Sequence, residues 1–247
     1  MNLLNDNIKK ISVIIPVYNE ELYVEEVLQQ LENIHLPAPL QMEIIIVDDG
    51  STDHTSEILK QHDGNDLLKI HFQRKNFGKG AAIREGLKHV TGQIVVIQDA
   101  DLEYSIDDYP KLLEPILNGK AKVVYGSRFL GKISDMKWAN RVFNLFMRQL
   151  VNWLFNAHIT DEATAYKVFK TDVLRSLDLQ SQRFEICPEI TAKVLNQGIA
   201  IYEVPITYRA RSHRQGKKIH WQDAFSAVFT LIKYWRHPSP SVNPLPK

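Results

Sequence analysis

Residues 42–51 read Met-Glu-Ile-Ile-Ile-Val-Asp-Asp-Gly-Ser, an apolar run rich in β-branched side chains that stops at two acids and a turn. This composition and length predict a buried strand over Met42–Val47. Asp53 follows the turn and is placed to cap a helix whose apolar face carries Ile58 and Leu59. A buried strand followed at once by a helix is the repeating unit of a mostly parallel sheet.

The same alternation continues on both sides of this segment. Further strands are predicted at Ile11–Val17, Lys69–Phe72, Gln93–Gln98 and Lys122–Tyr125, and further helices at 24–31, Gly80–Val90 and Ile106–Leu117. Together they predict an α/β fold with a Rossmann-like, mostly parallel sheet flanked by helices. Because ligands of such sheets bind beyond the carboxyl ends of the strands, we expect the polar clusters at four strand ends to meet in one crevice. These clusters follow Val17, Val47, Gln98 and Tyr125.

The second half of the chain has a different character. Trp138–Phe155 predicts a helix that is apolar and aromatic apart from a narrow polar stripe, and Ile219–Trp235 predicts an amphipathic helix. A helix at Pro188–Gln197 and a strand at Ile199–Val204 lie between them. The apolar faces of the two aromatic helices fit core packing, a homodimer interface or a surface that lies among lipid headgroups.

Composition restricts the class of function. The formal net charge is +1 over 247 residues, which argues against nucleic acid as a partner. The single cysteine, Cys187, excludes an intramolecular disulfide and a cysteine-rich metal site. No secretory signal is visible, and no run approaches the ~20 apolar residues that span a bilayer. We therefore expect a cytoplasmic protein, soluble or peripheral on the cytoplasmic face of the membrane.

The motif Asp99-Ala100-Asp101 directly follows a predicted strand. Two carboxylates at positions i and i+2 of a turn can face one point, and hard divalent cations such as Mg²⁺ or Mn²⁺ prefer oxygen ligands that they share with substrate phosphates. Glu103 is placed to add a third oxygen. The alternative is a polar turn in which Asp101 caps a local bend, but the position at a strand end favours the metal.

Other strand ends carry residues suited to a nucleotide. Tyr18 can stack on a base or support a ribose, while Glu20 and the pair Asp48 and Asp49 can accept hydrogen bonds from ribose or base. Helix capping is the alternative role for such acids. The small-residue loop Asn76–Ala82 opens a helix and would let the backbone approach a diphosphate. Lys79, in this loop, and Arg128, after the Lys122–Tyr125 strand, are candidates for charge on that diphosphate.

A basic stretch, Arg209–Lys218, contains five cations and no acid. These cations are Arg209, Arg211, Arg214, Lys217 and Lys218. A solvated face is one interpretation. The concentration of charge in an otherwise neutral chain favours a second interpretation. In it, the stretch screens the repulsion between an acceptor phosphate and an anionic sugar diphosphate. It lacks the interleaved aromatic side chains typical of nucleic-acid binding.

Seven blocks of sequence resemble the family 2 glycosyltransferases with the GT-A fold, and most closely their dolichyl- or polyprenyl-phosphate hexosyltransferase branch, which includes dolichyl-phosphate mannosyltransferase. The blocks are Pro16–Glu20, Val47–Asp53, Asn76–Ala82, Asp99–Glu103, Gly126–Arg128, Thr160–Phe169 and Glu203–Lys218. The first four are shared by many family 2 enzymes, whereas the last two point to a lipid-phosphate acceptor. The chain departs from the family at Glu103, where Gln is common, and at Asp161–Lys167, where the mannosyltransferases have Asp-x-Thr-Ser-Gly-Phe-Arg.

The resemblance implies roles for individual residues. With the residues chosen above by position, the expected nucleotide-sugar site comprises Pro16, Tyr18, Glu20, Val47, Asp48, Asp49, Lys79, Asp99, Ala100 and Arg128. The expected metal ligands are Asp99, Asp101 and Glu103, and the expected acceptor-phosphate site is Arg211, Lys217 and Lys218. The expected catalytic residues are Asp101, Arg128 and Asp161, the last as a base or as a residue that orients the sugar. The resemblance also implies a GT-A domain over residues 1–210, followed over 211–247 by a basic acceptor loop, an amphipathic helix and a frayed tail.

The reaction expected from this resemblance is metal-dependent hexose transfer with inversion, from a GDP-mannose or UDP-glucose type of donor to a dolichyl or undecaprenyl phosphate. Such an enzyme would serve cell-envelope or glycan biosynthesis at the membrane surface. One alternative is a family 2 enzyme that acts on a saccharide hydroxyl in cell-surface polysaccharide synthesis. Another is a catalytically silent sensor of sugar nucleotides.

Overall fold

A seven-stranded sheet forms the centre of the molecule in the computed structural model, which describes residues 8–37, 39–211 and 221–236. Its strands are β1 Lys10–Val17, β2 Gln41–Asp48, β3 Leu68–Phe72, β4 Ile94–Ile97, β5 Val123–Ser134, β6 Lys167–Lys170 and β7 Ile201–Arg209. Their order across the sheet is β3-β2-β1-β4-β6-β5-β7. Only β6 runs antiparallel to its neighbours, so the α/β fold with a mostly parallel sheet is confirmed.

Helices cover both faces of the sheet. They are α1 Val24–Glu32, α2 Thr55–Lys60, α3 Lys79–Lys88, α4 Tyr109–Leu117, α5 Trp138–Phe155, α6 Thr171–Ser176, α7 Ile186–Asn196 and α8 Trp221–Arg236. Alternate side chains of β2 face opposite layers: Ile44 and Ile46 pack with α1, α2 and α4, whereas Ile45 and Val47 pack with α3, α6 and α7. Each fully buried side chain of this kind contributes roughly 1.5–3 kcal/mol to stability. This two-sided burial is why β2 is continuously apolar from Ile44 to Val47.

The antiparallel strand β6 was not predicted. Its sequence, Lys-Val-Phe-Lys, has too few residues and too much charge to indicate a strand. Lys167 is nevertheless fully buried, because its Nζ donates to the carbonyl oxygens of Glu162 (2.8 Å) and Thr164 (2.5 Å) and lies 4.2 Å from the centre of the Tyr125 ring. Burial of this ammonium lowers the pKa of Lys167.

Two strands continue further than predicted. β5 runs to Ser134 rather than ending at Tyr125, and β7 runs to Arg209 rather than to Val204. The pairing of β5 with β7 slips between Ser127 and Lys132, so the strand bulges just after Arg128. The expected strand end at Gly126–Arg128 is therefore wrong in detail, since the chain bulges there instead of leaving the sheet.

A buried carboxylate links the strands on one side of the sheet. Glu43 of β2 accepts hydrogen bonds from Ser12 Oγ (2.5 Å), Lys69 Nζ (2.7 Å) and Thr91 N (2.7 Å). Burial opposes the charge of Glu43, but these donors together outweigh it and hold the pKa of its carboxyl well below the usual range. Glu43 thus connects β1, β2, β3 and the turn before β4.

Candidate active site

A cavity of about 1170 Å³ opens where the carboxyl ends of β1, β2 and β4 meet. The predicted site residues that line it are Pro16, Tyr18, Glu20, Asp49, Lys79, Asp99, Ala100, Asp101, Glu103, Arg128 and Arg211. The single crevice predicted from the strand ends is therefore present. Val47 is buried in the core, and Asp48 lines a smaller neighbouring cavity with Tyr18. Lys217 and Lys218, like the chain after Arg236, lie outside the described residues.

The two acids after β2 hold the backbone around the cavity. Asp48 accepts hydrogen bonds from Ser51 N (3.0 Å) and from the hydroxyl of Ser56, and so stabilises the β2–α2 turn. Asp49 accepts from Phe77 N (2.9 Å) and Gly78 N (2.7 Å). Burial raises the pKa of Asp49 although these two donors oppose the shift. Asp49 therefore fastens the loop that precedes α3 to the end of β2.

That loop needs glycine at position 78. Gly78 has a φ of 103°, and a Cβ there would lie 2.5 Å from the carbonyl oxygen of Gln182. Any other residue would combine an unfavourable backbone conformation with a clash against backbone. The close approach fixes the start of α3, and with it Lys79, beside the segment that precedes α7.

Lys79 and Asp99 form an ion pair across the cavity wall. Lys79 Nζ lies 2.6 Å from Asp99 Oδ1 and 2.8 Å from Oδ2. Burial opposes the charge of Lys79, but the adjacent Asp99 carboxylate outweighs it and raises the pKa of the lysine. Lys79 was expected on the diphosphate and Asp99 on the metal, and the structure places these two candidates against each other.

Arg211 lies among three acids of the cavity. Its guanidinium contacts Glu20 (Nη1–Oε2, 2.8 Å) and Asp101 (Nη2–Oδ2, 3.1 Å), and its backbone N donates to Glu103 Oε1 (2.8 Å). Arg211 Nε is buried and has no hydrogen-bond partner among the described residues; Glu103 Oε1 is 3.9 Å away. Arg211 was expected on the acceptor phosphate. It lines the cavity and pairs there with acids at the ends of β1 and β4, so the acceptor role stays a prediction.

Asp101 forms the local bend that its motif suggested, and its metal-binding role stays a prediction. Its Oδ1 accepts a hydrogen bond from Glu103 N (3.1 Å), which is the local bend considered above, while Oδ2 faces Arg211. Leu102 between them adopts a φ of 55°, a conformation that non-glycine residues rarely adopt and that clusters at functional sites. Burial, with the neighbouring Asp99 and Glu103, raises the pKa of Asp101 to about 7, although Arg211 opposes the shift.

Arg128 and Asp161 form a buried bidentate pair. Arg128 Nε and Nη2 each lie 2.7 Å from one Asp161 oxygen, and Arg128 N donates to Oδ2 (2.9 Å). The backbone N of Asp161 is in turn held by Glu203 Oε1 (2.9 Å), and the Arg128 guanidinium lies over the Tyr208 ring (5.1 Å). Because Arg128 occupies both oxygens of Asp161, this geometry favours a positioning role for the aspartate over proton transfer.

The charges lining the cavity fit a divalent cation. Among the described residues the lining carries seven acids and four cations. The acids are Glu20, Asp49, Asp99, Asp101, Glu103, Glu162 and Asp223, and the cations are Lys79, Arg128, Arg183 and Arg211. Within the described ranges, no three acid, histidine or cysteine side chains are arranged to hold an ion by themselves. Carboxylates in excess without a complete cage suit Mg²⁺ or Mn²⁺, which take some of their oxygen ligands from substrate phosphates.

The cavity extends into a mostly apolar trough between α5 and α8. Met136, Phe143 and Met147 line one wall of this trough, with Asn140 and Asn144 beside them. Ala224, Phe225 and Ala227 line the other wall, with Asp223. The inner faces of the two helices pack together through Met147, Val151, Leu154, Leu231 and Tyr234. Core packing therefore explains one side of each helix.

The outer sides of α5 and α8 form an exposed aromatic face. It consists of Trp138, Phe146, Trp153, Phe225 and Phe229, which are between 51% and 78% exposed. Phe225 belongs to both this face and the trough. In the portion of the chain that is described, these helices and all others fall short of the length and apolar content needed to cross a membrane.

Sequence reasoning missed several residues of the site. Tyr104 and Tyr208 line the cavity beside Arg128, Glu162 lies at its floor, and Arg183 lies beside Gly78. Glu162 adjoins Asp161, so proximity to a recognised motif could have indicated it. Arg183 precedes α7 in a segment without any motif, and only the fold brings it to the cavity.

The sequence of the chain is similar to those of several known proteins. A model of glycosyl transferase family 2 matches residues 12–178. The chain is 29% identical over 232 residues to dolichol-phosphate mannosyltransferase of Pyrococcus furiosus, with 92% of this chain and 62% of the relative covered. It is 31% identical to UDP-N-acetylglucosamine–dolichyl-phosphate N-acetylglucosaminyltransferase of Methanococcus voltae, over 91% of this chain and 95% of the relative. The chain thus spans less than two thirds of the Pyrococcus relative and nearly all of the Methanococcus one.

A solved structure shares the fold. Glucosyl-3-phosphoglycerate synthase of Mycobacterium tuberculosis, in complex with Mn²⁺, uridine diphosphate and phosphoglyceric acid, superposes with a TM-score of 0.70. The match covers 96% of this chain and 82% of that one at 22% identity. The architecture described above is therefore GT-A-like.

Proposed function

The chain belongs to glycosyl transferase family 2, and on that premise we propose that it transfers a hexose from a nucleotide diphosphosugar to a polyprenyl phosphate, with inversion at the anomeric carbon. The observation that carries this proposal is the shape of the cavity. A crevice lined by charged residues at the strand ends continues into a mostly apolar trough between α5 and α8. A sugar nucleotide fits the first part, and the prenyl end of a lipid phosphate fits the second.

The names of the relatives support a lipid-phosphate acceptor. Two relatives are named for dolichyl- or dolichol-phosphate transfer, and a third, at 25% identity, is dodecaprenyl-phosphate galacturonate synthase of Rhizobium johnstonii. These names include different sugars. We therefore propose the acceptor class and keep GDP-mannose and UDP-glucose types as donor candidates.

On the donor side, Tyr18, Glu20 and the Asp48–Asp49 turn would receive the nucleoside. Lys79 and Arg128 would face the diphosphate, where preorganised positive charge stabilises the departing nucleotide. Asp161 holds Arg128 in place for this task through both of its oxygens. Asp99 and Asp101, with Glu103 as a third candidate, would hold Mg²⁺ or Mn²⁺. When bound, that ion supplies charge neutralisation at the diphosphate.

On the acceptor side, an oxygen of the lipid phosphate would attack the anomeric carbon as the bond from this carbon to the nucleotide diphosphate breaks. This phosphate is already ionised at neutral pH, so no side chain has to remove a proton from it. Arg211, Lys217 and Lys218 are the proposed acceptor-phosphate residues. The position of Arg211 in the lining of the cavity supports this role for the first of them.

The aromatic face supports a membrane-surface location. Large exposed aromatic side chains on two neighbouring helices are typical of a face that lies among lipid headgroups. We therefore propose a cytoplasmic protein that is peripheral on the cytoplasmic face of the membrane, with a homodimer through the same face as the competing arrangement.

The test is a matrix of donors and acceptors. GDP-mannose and UDP-glucose are each incubated with a short-chain polyprenyl phosphate or with a free oligosaccharide, in Mn²⁺ or in EDTA, and the glycosylated product is measured. We expect product only with the polyprenyl phosphate and only with metal. Transfer to the oligosaccharide alone would favour the saccharide-hydroxyl alternative, and donor binding without any transfer or hydrolysis would favour the silent sensor.

A further inference from the structure

Three of the four described cations that line the cavity are already paired with acids. Lys79 pairs with Asp99 (2.6 Å), Arg128 with Asp161 (2.7 Å) and Arg211 with Glu20 (2.8 Å). The fourth, Arg183, is different. Within residues 8–37, 39–211 and 221–236 its guanidinium forms no ion pair or hydrogen bond, and only its backbone N is engaged, by Glu185 Oε1 (3.1 Å).

The pairing determines how each cation can meet an anion. Lys79, Arg128 and Arg211 would have to share or lose a partly or fully buried carboxylate, and a buried charge left unpaired is costly. Arg183 is exposed and lines the cavity, so its guanidinium would lose only bound water when it contacts an anion. A guanidinium also presents paired N–H donors that match two phosphate oxygens.

The position of Arg183 determines which anion it meets. A Cβ on Gly78 would lie 2.9 Å from Arg183 Cγ, so the side chain of Arg183 lies against the glycine loop (Asn76–Ala82). The backbone of the preceding residue is fixed to the same loop, because Ala81 N donates to Gln182 O (2.9 Å). The next residue after Gly78 is Lys79, at the start of α3. Arg183 therefore stands beside Gly78 and the start of α3, on the side of the cavity where Lys79 lies.

We propose that Arg183 binds the diphosphate of the sugar nucleotide and is the donor-binding cation that no motif of the chain indicates. This proposal rests on the proposed function, since it takes a nucleoside diphosphate as the ligand. Arg183 would contact the diphosphate from the segment that precedes α7, beside the glycine loop.

The experiment compares Arg183→Gln and Arg183→Lys with the wild type. Arg236→Gln is the matched control, because it removes the same charge from an exposed position outside the cavity. Calorimetry measures the binding of GDP, UDP and the corresponding monophosphates in Mg²⁺. We expect Arg183→Gln to weaken diphosphate binding about tenfold, the lower end for a charge-assisted contact because the site is partly open to water. Arg183→Lys should recover part of this loss, and Arg236→Gln should bind as the wild type does.

The outcomes separate this proposal from the function on which it rests. Equal diphosphate affinity in Arg183→Gln and wild type overturns the role of Arg183 alone. The role of Arg183 is also overturned if Arg183→Gln weakens the binding of monophosphates and diphosphates by equal factors. It is overturned likewise if the variant slows only transfer to the polyprenyl phosphate. A wild-type chain that binds neither GDP nor UDP overturns the proposed function itself. Unchanged circular dichroism of the variants guards against misfolding, which is not expected for an exposed side chain.

Discussion

At the scale of single residues, Asp101 shows a conflict between stability and function. Burial and two neighbouring acids raise its pKa, so the ionised form that the proposed metal ion would need is the form that the fold without metal disfavours. The folded state binds this proton more tightly than the unfolded state. The resulting stability is present at low pH and is lost as pH rises through the raised pKa, near 7. Such strain is common where binding requires uncompensated charge.

We therefore predict that Asp101→Asn abolishes transfer while the metal-free protein melts no lower than the wild type at pH 8. The asparagine keeps the shape of the side chain and removes the buried charge, and Arg211 retains Glu20 as its partner. Thermal melts in EDTA and a transfer assay in Mn²⁺ measure the two effects. Asp107→Asn, at an exposed site, is the control and should change neither. Near-normal transfer by Asp101→Asn would refute the metal assignment.

Most of the residues around the cavity could be predicted because strand ends of a parallel sheet converge and polar motifs mark those ends. What could not be predicted is which residues pair. Arg128 and Asp161 are 33 positions apart, and Arg211 and Glu20 are 191 apart, so no local pattern relates them. The acids around Arg211 could not be predicted, because charge along the chain does not reveal which carboxylates fold against it.

At the scale of elements, Glu43 is a structural acid without any catalytic neighbour. It holds three strands and a turn through buried hydrogen bonds. Replacing it with Gln should destabilise the protein by roughly 2–3 kcal/mol at pH 7, a value reduced because Lys69 and Lys10 are partly exposed. Urea denaturation measures this difference.

The loss should depend on pH in a defined direction. The pKa of Glu43 is lowered in the fold, so its contribution is present above the unfolded value of about 4.3 and declines as pH falls below it. The gap between wild type and Glu43→Gln should thus be smaller at pH 3 than at pH 7. Glu26→Gln, exposed on α1, is the comparison and should cost little at either pH. A gap that stays constant would mean that packing rather than charge carries the effect.

Elements with a clear apolar period could be predicted, and those without one could not. The central parts of β1 and β2, Val13–Ile15 and Ile44–Val47, are buried on both faces and appear as continuous apolar runs. β6 could not be predicted, because its buried lysine is stabilised by backbone carbonyl oxygens and an aromatic ring. These contacts form only in the folded protein. The bulge after Arg128 gave the same glycine-containing pattern as a strand end.

At the scale of the whole molecule, we predict that the protein sediments with anionic vesicles at low salt and is only partly released by ~0.5 M NaCl. Arg209, Arg214, Lys217 and Lys218 would each add on the order of 1 kcal/mol near an anionic surface, and salt screens that contribution. Arg211 is not counted, because it pairs with acids of the cavity. The aromatic face should leave a salt-resistant fraction, because burial of apolar area does not depend on charge.

Variants test which surface binds. The double change Trp153→Ser with Phe229→Ser should remove the salt-resistant fraction, whereas Leu22→Ser should not, although Leu22 is equally exposed at 73%. Sedimentation at two salt concentrations gives both fractions. If the double variant and the wild type both ignored vesicles but differed in oligomeric state, the aromatic face would be a dimer interface.

The position of Phe225 in both the trough and the aromatic face has a kinetic consequence. A long-chain acceptor need not leave the bilayer, since the trough opens onto the face that would rest on it. Encounters between enzyme and acceptor would then be confined to two dimensions. Turnover would follow the mole fraction of acceptor among the lipids. Inert phospholipid would dilute the acceptor within the membrane and slow the bound enzyme. Dilution of the vesicles with buffer, at constant donor concentration, would leave the rate per vesicle unchanged. Turnover would depend on the water-soluble donor through its concentration in solution. The rate would therefore depend on a surface mole fraction for one substrate and on a bulk concentration for the other.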